Sequence, residues 1–269
     1  MHGYWSLVIF TLLGQASAGM LILSFFSRTA DTSRAKAWVA CVLLGAGALA
    51  SLEHLSDPTV SFYTITNLGT SWLSREILFV GLFGAGLLLW LITLNAWIRR
   101  LAAILGLALV YVMSRVYTIP TVPFWNSLFT YWIFLASSLL LGAALLLFVD
   151  ALAARNDAEK KTALSLGWYP VFIVLAFILQ MLVMPLQMFL AQLPFSTHLL
   201  AWHLTLLLFG AALGPLLLVR NGIREMHPDA CRVCPCPLWI RAGIILLLIV
   251  AGEVCGRVLF YNGYTWFGM

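Results

Sequence analysis

Charge is what this sequence has least of. Only 9% of its 269 residues are Asp, Glu, Lys or Arg, against roughly 25% in a soluble domain. With 62% hydrophobic residues and a mean hydropathy of +0.99, the chain has too little polar surface to fold in water. Cysteine is scarce as well. Cys41, Cys231, Cys234 and Cys236 fall on the basic side of the pattern described below and Cys255 lies inside the last apolar run, so no pair is placed for an extracellular disulfide. The net charge of +5 has no basic patch or RNA-binding motif behind it, which removes nucleic acid as a partner. Apolar runs such as Leu87-Leu88-Leu89-Trp90-Leu91-Ile92 lack the alternation that a membrane barrel needs.

What is present is a series of eight apolar segments, at about 5–27, 37–54, 75–98, 101–117, 130–152, 166–190, 198–219 and 239–262. Each approaches the roughly 20 residues that a spanning helix requires. The expected fold is therefore all-α: an integral membrane protein whose residues 1–269 form a single domain of eight transmembrane helices. Twelve of the fifteen basic residues sit in four short loops on one side: Arg28, Arg34 and Lys36; Arg99 and Arg100; Arg155, Lys160 and Lys161; and Arg220, Arg224, Arg232 and Arg241. Loops rich in Lys and Arg stay on the cytoplasmic side. No Lys or Arg precedes the first segment, so it reads as a retained span rather than a cleaved signal, with both termini on the outer, periplasmic side.

Two outer connections, about 55–74 and 118–129, are poor in charge and rich in aromatics. Tyr63, Trp72, Trp125, Tyr131 and Trp132 are expected to form an aromatic belt at headgroup level. Gly45, Gly47, Gly81, Gly84 and Gly86 have spacings that permit close helix packing.

The three remaining arginines, Arg75, Arg115 and Arg257, lie toward the outer side, where His54, Glu76 and Glu253 also fall. A charge at mid-bilayer costs at least about 2.5–3.5 kcal/mol, so each one retained needs pairing, water access or a task. Glu253 and Arg257 are four residues apart and share a helix face, with Tyr261 one turn further on. They read either as an internal ion pair or as charges kept for function. His54 and Glu76 form the sharper combination, because an imidazole and a carboxyl group can exchange protons with the two oxygens of a quinol. Taken alone, His54 reads as a capping or interfacial histidine.

His198 and His203 open the seventh segment five residues apart, off a common face. His54 and His203 can in principle ligate a haem from two helices, but a haem-free site ranks higher, since there is no second histidine pair and no attachment motif. The inner loop His227-Pro228-Asp229-Ala230-Cys231-Arg232-Val233-Cys234-Pro235-Cys236-Pro237 holds half of a zinc signature. A reduced cysteine cluster and a metal site both remain open for it, and no metal ligand is assigned.

Several stretches together resemble the membrane anchor subunit family of dimethyl sulfoxide reductase. These are Trp5-Ser6-Leu7-Val8-Ile9-Phe10-Thr11-Leu12-Leu13-Gly14-Gln15 with Ala18-Gly19, then His54-Leu55-Ser56-Asp57-Pro58, and Asn67-Leu68-Gly69-Thr70-Ser71-Trp72-Leu73-Ser74-Arg75-Glu76-Ile77. Arg115-Val116-Tyr117 with Thr121-Val122-Pro123-Phe124-Trp125, and Gly252-Glu253-Val254-Cys255-Gly256-Arg257-Val258-Leu259-Phe260-Tyr261, complete the set. The resemblance implies a haem-free, eight-helix anchor in the bacterial inner membrane that oxidises menaquinol. Electrons would pass to an iron–sulfur subunit and from there to a molybdopterin catalytic subunit, so that the anchor holds a quinol site without the terminal catalysis and without an iron–sulfur cluster of its own. The family's quinol-site histidine and glutamate fall on His54 and Glu76, with Arg115, Tyr117, Glu253, Arg257 and Tyr261 as further quinol-binding candidates. The cysteine-rich inner loop is outside the family pattern.

Two rivals come from other classes. A secondary transporter would use the same buried charges, but such sites sit at the midplane between broken helices in repeated halves. Here the polar groups gather toward one side, and Pro185 has no matching break in the other half. A haem b anchor is the second rival.

Overall fold

The computed structural model describes residues 5–26, 32–52, 67–191, 197–225 and 236–263, and among these every regular element is helical. In chain order the helices are α1 (Trp5–Leu23), α2 (Ser33–Leu52), α3 (Trp72–Thr93), α4 (Ala96–Tyr117), α5 (Leu128–Ala153), α6 (Ala158–Leu166), α7 (Trp168–Ala191), α8 (Thr197–Leu207), α9 (Gly214–Glu225) and α10 (Leu238–Asn262). A π-helical segment, Leu208–Leu213, joins α8 to α9. Among the described residues, eight stretches are long and apolar enough to cross a membrane, with α6–α7 and α8–α9 each counting as one. They coincide with the eight expected segments to within a few residues, except that the sixth starts earlier, at Ala158, and bends at Gly167, the C-cap of α6.

α1 is the centre of the bundle, with 78% of its apolar window buried. It packs against α2, α4 and α5, while α5 also meets α7 and α10, and α8 lies along α10. Small residues set the closest approach. A Cβ at Gly19 would overlap the Ser138 carbonyl, and one at Gly142 would overlap the backbone of Gly19 and Met20. α1 and α5 therefore touch backbone to backbone, and Ser138 donates its hydroxyl to the Gln15 carbonyl at 2.8 Å across the contact. The outward faces carry large exposed side chains such as Leu49, Ile92, Phe189 and Leu247. That is the pattern of a bundle solvated by lipid.

The turn between α3 and α4 is tight. Leu94 takes a left-handed conformation (φ 52°), and Asn95 accepts the Trp97 N–H at 2.8 Å to start α4. This hairpin brings the last turn of α4 back beside the first turns of α3, which positions Tyr117 near Glu76 and Arg115 over Trp72.

At the opposite end of the bundle the structure corrects one reading. Lys36 is a buried residue of α2 rather than a solvated loop charge. Its Nζ lies 2.8 Å from Asp150 Oδ1 on α5, and Asp150 also accepts hydrogen bonds from Thr32 Oγ1 (2.6 Å) and from the Tyr169 hydroxyl on α7. A cation with a carboxylate in reach is cheaper to bury than to strand, so the loop's charge folds inward.

Candidate functional site

α3 begins where Ser71 caps it, accepting the Ser74 N–H at 3.3 Å. That start sets Glu76 in the second turn, facing the bundle. Glu76 is buried, and its Oε1 has no hydrogen-bond partner. It lies within electrostatic reach of both Tyr117 on α4 and Tyr261 on α10.

On α10 the four-residue spacing of Glu253, Arg257 and Tyr261 buries all three on the inward face. The Tyr261 hydroxyl donates to the Tyr117 hydroxyl at 2.7 Å and lies 3.5 Å from Thr11 Oγ1 on α1. Arg257 donates from Nη2 to Gln15 Oε1 at 2.6 Å and lies over the Phe134 ring at 4.1 Å. Ser137 donates to Glu253 Oε2 at 2.6 Å.

The expected Glu253–Arg257 ion pair is absent among the described residues. The two groups interact electrostatically but stand more than 4.0 Å apart. Each has a nearer polar partner on another helix, Ser137 for the carboxylate and Gln15 for the guanidinium, and these hold the side chains apart.

Four buried polar atoms in this region lack hydrogen-bond partners: Glu76 Oε1, Glu253 Oε1, Arg257 Nη1 and Gln15 Nε2. A buried polar atom left unmatched costs about 1–3 kcal/mol. Such a set calls for a ligand or water to complete it.

An aromatic cap closes the region. The sequence places Trp125 in the headgroup belt, but it is buried and stacks on Phe260 (5.5 Å, 13° between rings), to whose carbonyl it donates Nε1 at 2.8 Å. Thr130 fastens the Trp125 carbonyl at 2.8 Å, and Gln187 of α7 fastens that of Phe124 at 2.5 Å. Hydrogen-bond partners inside the bundle outweigh the indole's preference for the interface.

Residues 1–263 match the family described as DMSO reductase anchor subunit (DmsC). The protein belongs to that family. It is 31% identical over 296 residues to the YnfH component of anaerobic dimethyl sulfoxide reductase from Escherichia coli strain K12, an alignment spanning 98% of its own length and 96% of the relative. To the C subunit of anaerobic dimethyl sulfoxide reductase from the same organism it is 30% identical over 295 residues, with the same coverage. The corresponding C subunit from Haemophilus influenzae is 32% identical over 157 residues, 52% of this sequence and 56% of the relative. With its eight apolar helices the anchor is a multi-pass membrane protein.

Of the anchor's sequence-predicted site residues, the fold brings Glu76, Tyr117, Glu253, Arg257 and Tyr261 together. Arg115 stands aside: its guanidinium lies 5.0 Å from the centroid of the Trp72 ring, which Arg75 also covers at 4.3 Å. Arg75 is held there by the carbonyls of Leu68 (2.8 Å) and Gly69 (2.7 Å). Trp72 thus serves two guanidinium groups in addition to any interfacial role. His54, Tyr63, His227, Cys231 and Cys234 lie outside the described residues, and Cys236 is exposed. His198 is exposed, whereas His203 is buried on α8, donating Nδ1–H to the Gly252 carbonyl at 2.7 Å with its Nε2 unpartnered.

The residues missed in the sequence are uncharged. Gln15 and Thr11 on α1 and Ser137 on α5 supply the partners of Arg257, Tyr261 and Glu253. A signal is available. Thr11, Gln15 and Gly19 recur every four residues in an otherwise apolar segment, which puts polar and small groups on one helix face.

Proposed function

We propose that this protein is the quinol-oxidising membrane anchor of a dimethyl sulfoxide reductase-like molybdenum enzyme complex, seated in the bacterial inner membrane with both termini periplasmic. The observation that carries the reading is Glu76, a buried carboxyl group with an unmatched oxygen, within electrostatic reach of the Tyr117–Tyr261 hydroxyl pair, which Arg257 in turn faces. Quinol enters from the lipid. One of its hydroxyl groups gives its proton to the Glu76 carboxylate, and the other gives its proton to His54. Two electrons leave together with these two protons, quinone remains, and the electrons go to the iron–sulfur cluster of a docked partner and on to the molybdopterin subunit. Arg257 Nη1 and the Tyr117 hydroxyl, which already accepts from Tyr261, offer donors to the ring oxygens, whose negative charge grows as the protons leave. Arg115, near the same end of α4, sits where the quinol's approach or the partner's contact falls.

The assembled complex supplied with menaquinol tests this. Glu76→Gln preserves size and hydrogen bonding but cannot take a proton, so quinol oxidation should fall by about 100-fold or more while the complex still assembles in the membrane. Normal turnover in that variant refutes the reading. Uptake of a solute by the purified anchor in vesicles, with no partner subunits bound, would favour transport instead.

A further inference from the structure

The separation of Glu253 from Arg257 has an identifiable cause. Both lie on the same face of α10 at the spacing at which opposite charges attract, and neither side chain has access to bulk solvent. Left to themselves in a low-dielectric interior they would close into an ion pair. What opposes this is Gln15, fully buried at the centre of α1, whose Oε1 accepts from Arg257 Nη2 at 2.6 Å. Gln15 is itself rigidly placed, because its own carbonyl accepts from Ser138 and the adjoining turn is locked by the Gly19 contact with α5. Phe134 supports the guanidinium from α5, and Ser137 draws the carboxylate of Glu253 the other way. The result is a cation with one face anchored and Nη1 still available.

We infer that Gln15 is a positioning residue for quinol oxidation: it holds Arg257 off Glu253, so that the guanidinium stays available to a quinol oxygen. This rests on the quinol-site reading above. An amide suits the task where a carboxylate would not. It accepts the Arg257 hydrogen bond without neutralising the positive charge that makes the guanidinium useful. If Gln15 is lost, Arg257 collapses onto Glu253 and binding weakens through a mispaired cation, with no loss of any group that exchanges protons with the substrate.

The test uses the complete membrane-bound complex and a short-chain naphthoquinol as electron donor. Gln15→Met keeps the side chain's length but removes the acceptor. KM for the naphthoquinol should rise roughly 10-fold or more, the scale of one hydrogen bond to a charged group, with kcat changed less. Glu253→Gln removes the carboxylate that captures Arg257, so, measured against Glu253→Gln alone, adding Gln15→Met should raise KM far less than it does when the Glu253 carboxylate is present. Gln15→Asn, one methylene short of Arg257, should give the same rise with the same dependence on the Glu253 carboxylate, and it serves as the measurement if Gln15→Met fails to accumulate. An unchanged KM in the Gln15 variants, or an equal rise in KM with and without the Glu253 carboxylate, overturns the inference. Failure of the quinol site itself would show separately, as normal turnover in Glu76→Gln.

Discussion

Lys36 Nζ stands 2.8 Å from Asp150 Oδ1, an ion pair buried between α2 and α5 at the end of the bundle away from Glu76. Removing one member of such a pair costs about 3–5 kcal/mol, because the other charge is left desolvated, whereas replacing both by apolar groups is often neutral. Lys36→Met should therefore lower the thermal midpoint of the detergent-solubilised protein sharply. Lys36→Met combined with Asp150→Leu should recover much of the loss. Equal damage in the single and double variants would show that the other contacts of Asp150, including those from Thr32 and Tyr169, matter more than the ion pair.

The α1–α5 contact gives a second test. Gly19→Ala forces a methyl group into the Ser138 carbonyl, and overpacking of this kind costs about 1–3 kcal/mol. Gly45→Ala is the control, since nothing lies within 4 Å of the added Cβ. Thermal unfolding should separate the two variants, and similar midpoints would mean that the helices shift to make room.

Trp125→Phe retains an aromatic ring over Phe260 but withdraws the indole N–H from the Phe260 carbonyl. One hydrogen bond is worth about 0.5–1.5 kcal/mol. Loosening the turn that carries Tyr261 should raise KM for quinol by a few-fold, about the change that such an energy allows, and steady-state kinetics would show it. A change in stability with unaltered KM would make the tryptophan purely structural.

A haem b anchor must give a Soret difference between its reduced and oxidised states. The purified complex, corrected for the chromophores of its soluble subunits, should show none. A b-type signal that His203→Leu abolished would reassign the buried histidine as an axial ligand.

The spans are legible in the sequence because lipid demands long apolar helices, and their ends can be read to within a few residues. Two helix irregularities are not. The Gly167 bend interrupts a span that reads as continuous, and the π-helical Leu208–Leu213 segment depends on tertiary packing, where Gly210 and Gly214 admit Leu248, Ile249 and Ile245 of α10. Counting along the chain puts Glu76 and Arg257 within the spans, where both are buried, but misplaces Lys36, whose partner is 114 residues away. The same limit leaves the two readings of Glu253 and Arg257 open: helical spacing brings two residues to one face without saying what a third helix offers them. Gln15, Thr11 and Ser137 carry no charge, and so escape a search organised around charges.

The glycine contact between α1 and α5 has a mechanical consequence. Two backbones already touching can neither approach further nor slide without climbing over each other, so the wall bearing Gln15, Ser137 and Phe134 behaves as a fixed jaw. Glu76 rides on α3, which packs on α2 and α4 at the rim of the bundle. Any widening that the proposed quinol site requires therefore falls to that outer hairpin. In the proposed site Glu76 thus travels with the moving jaw, while Arg257, tied to Gln15 and Phe134, stays still.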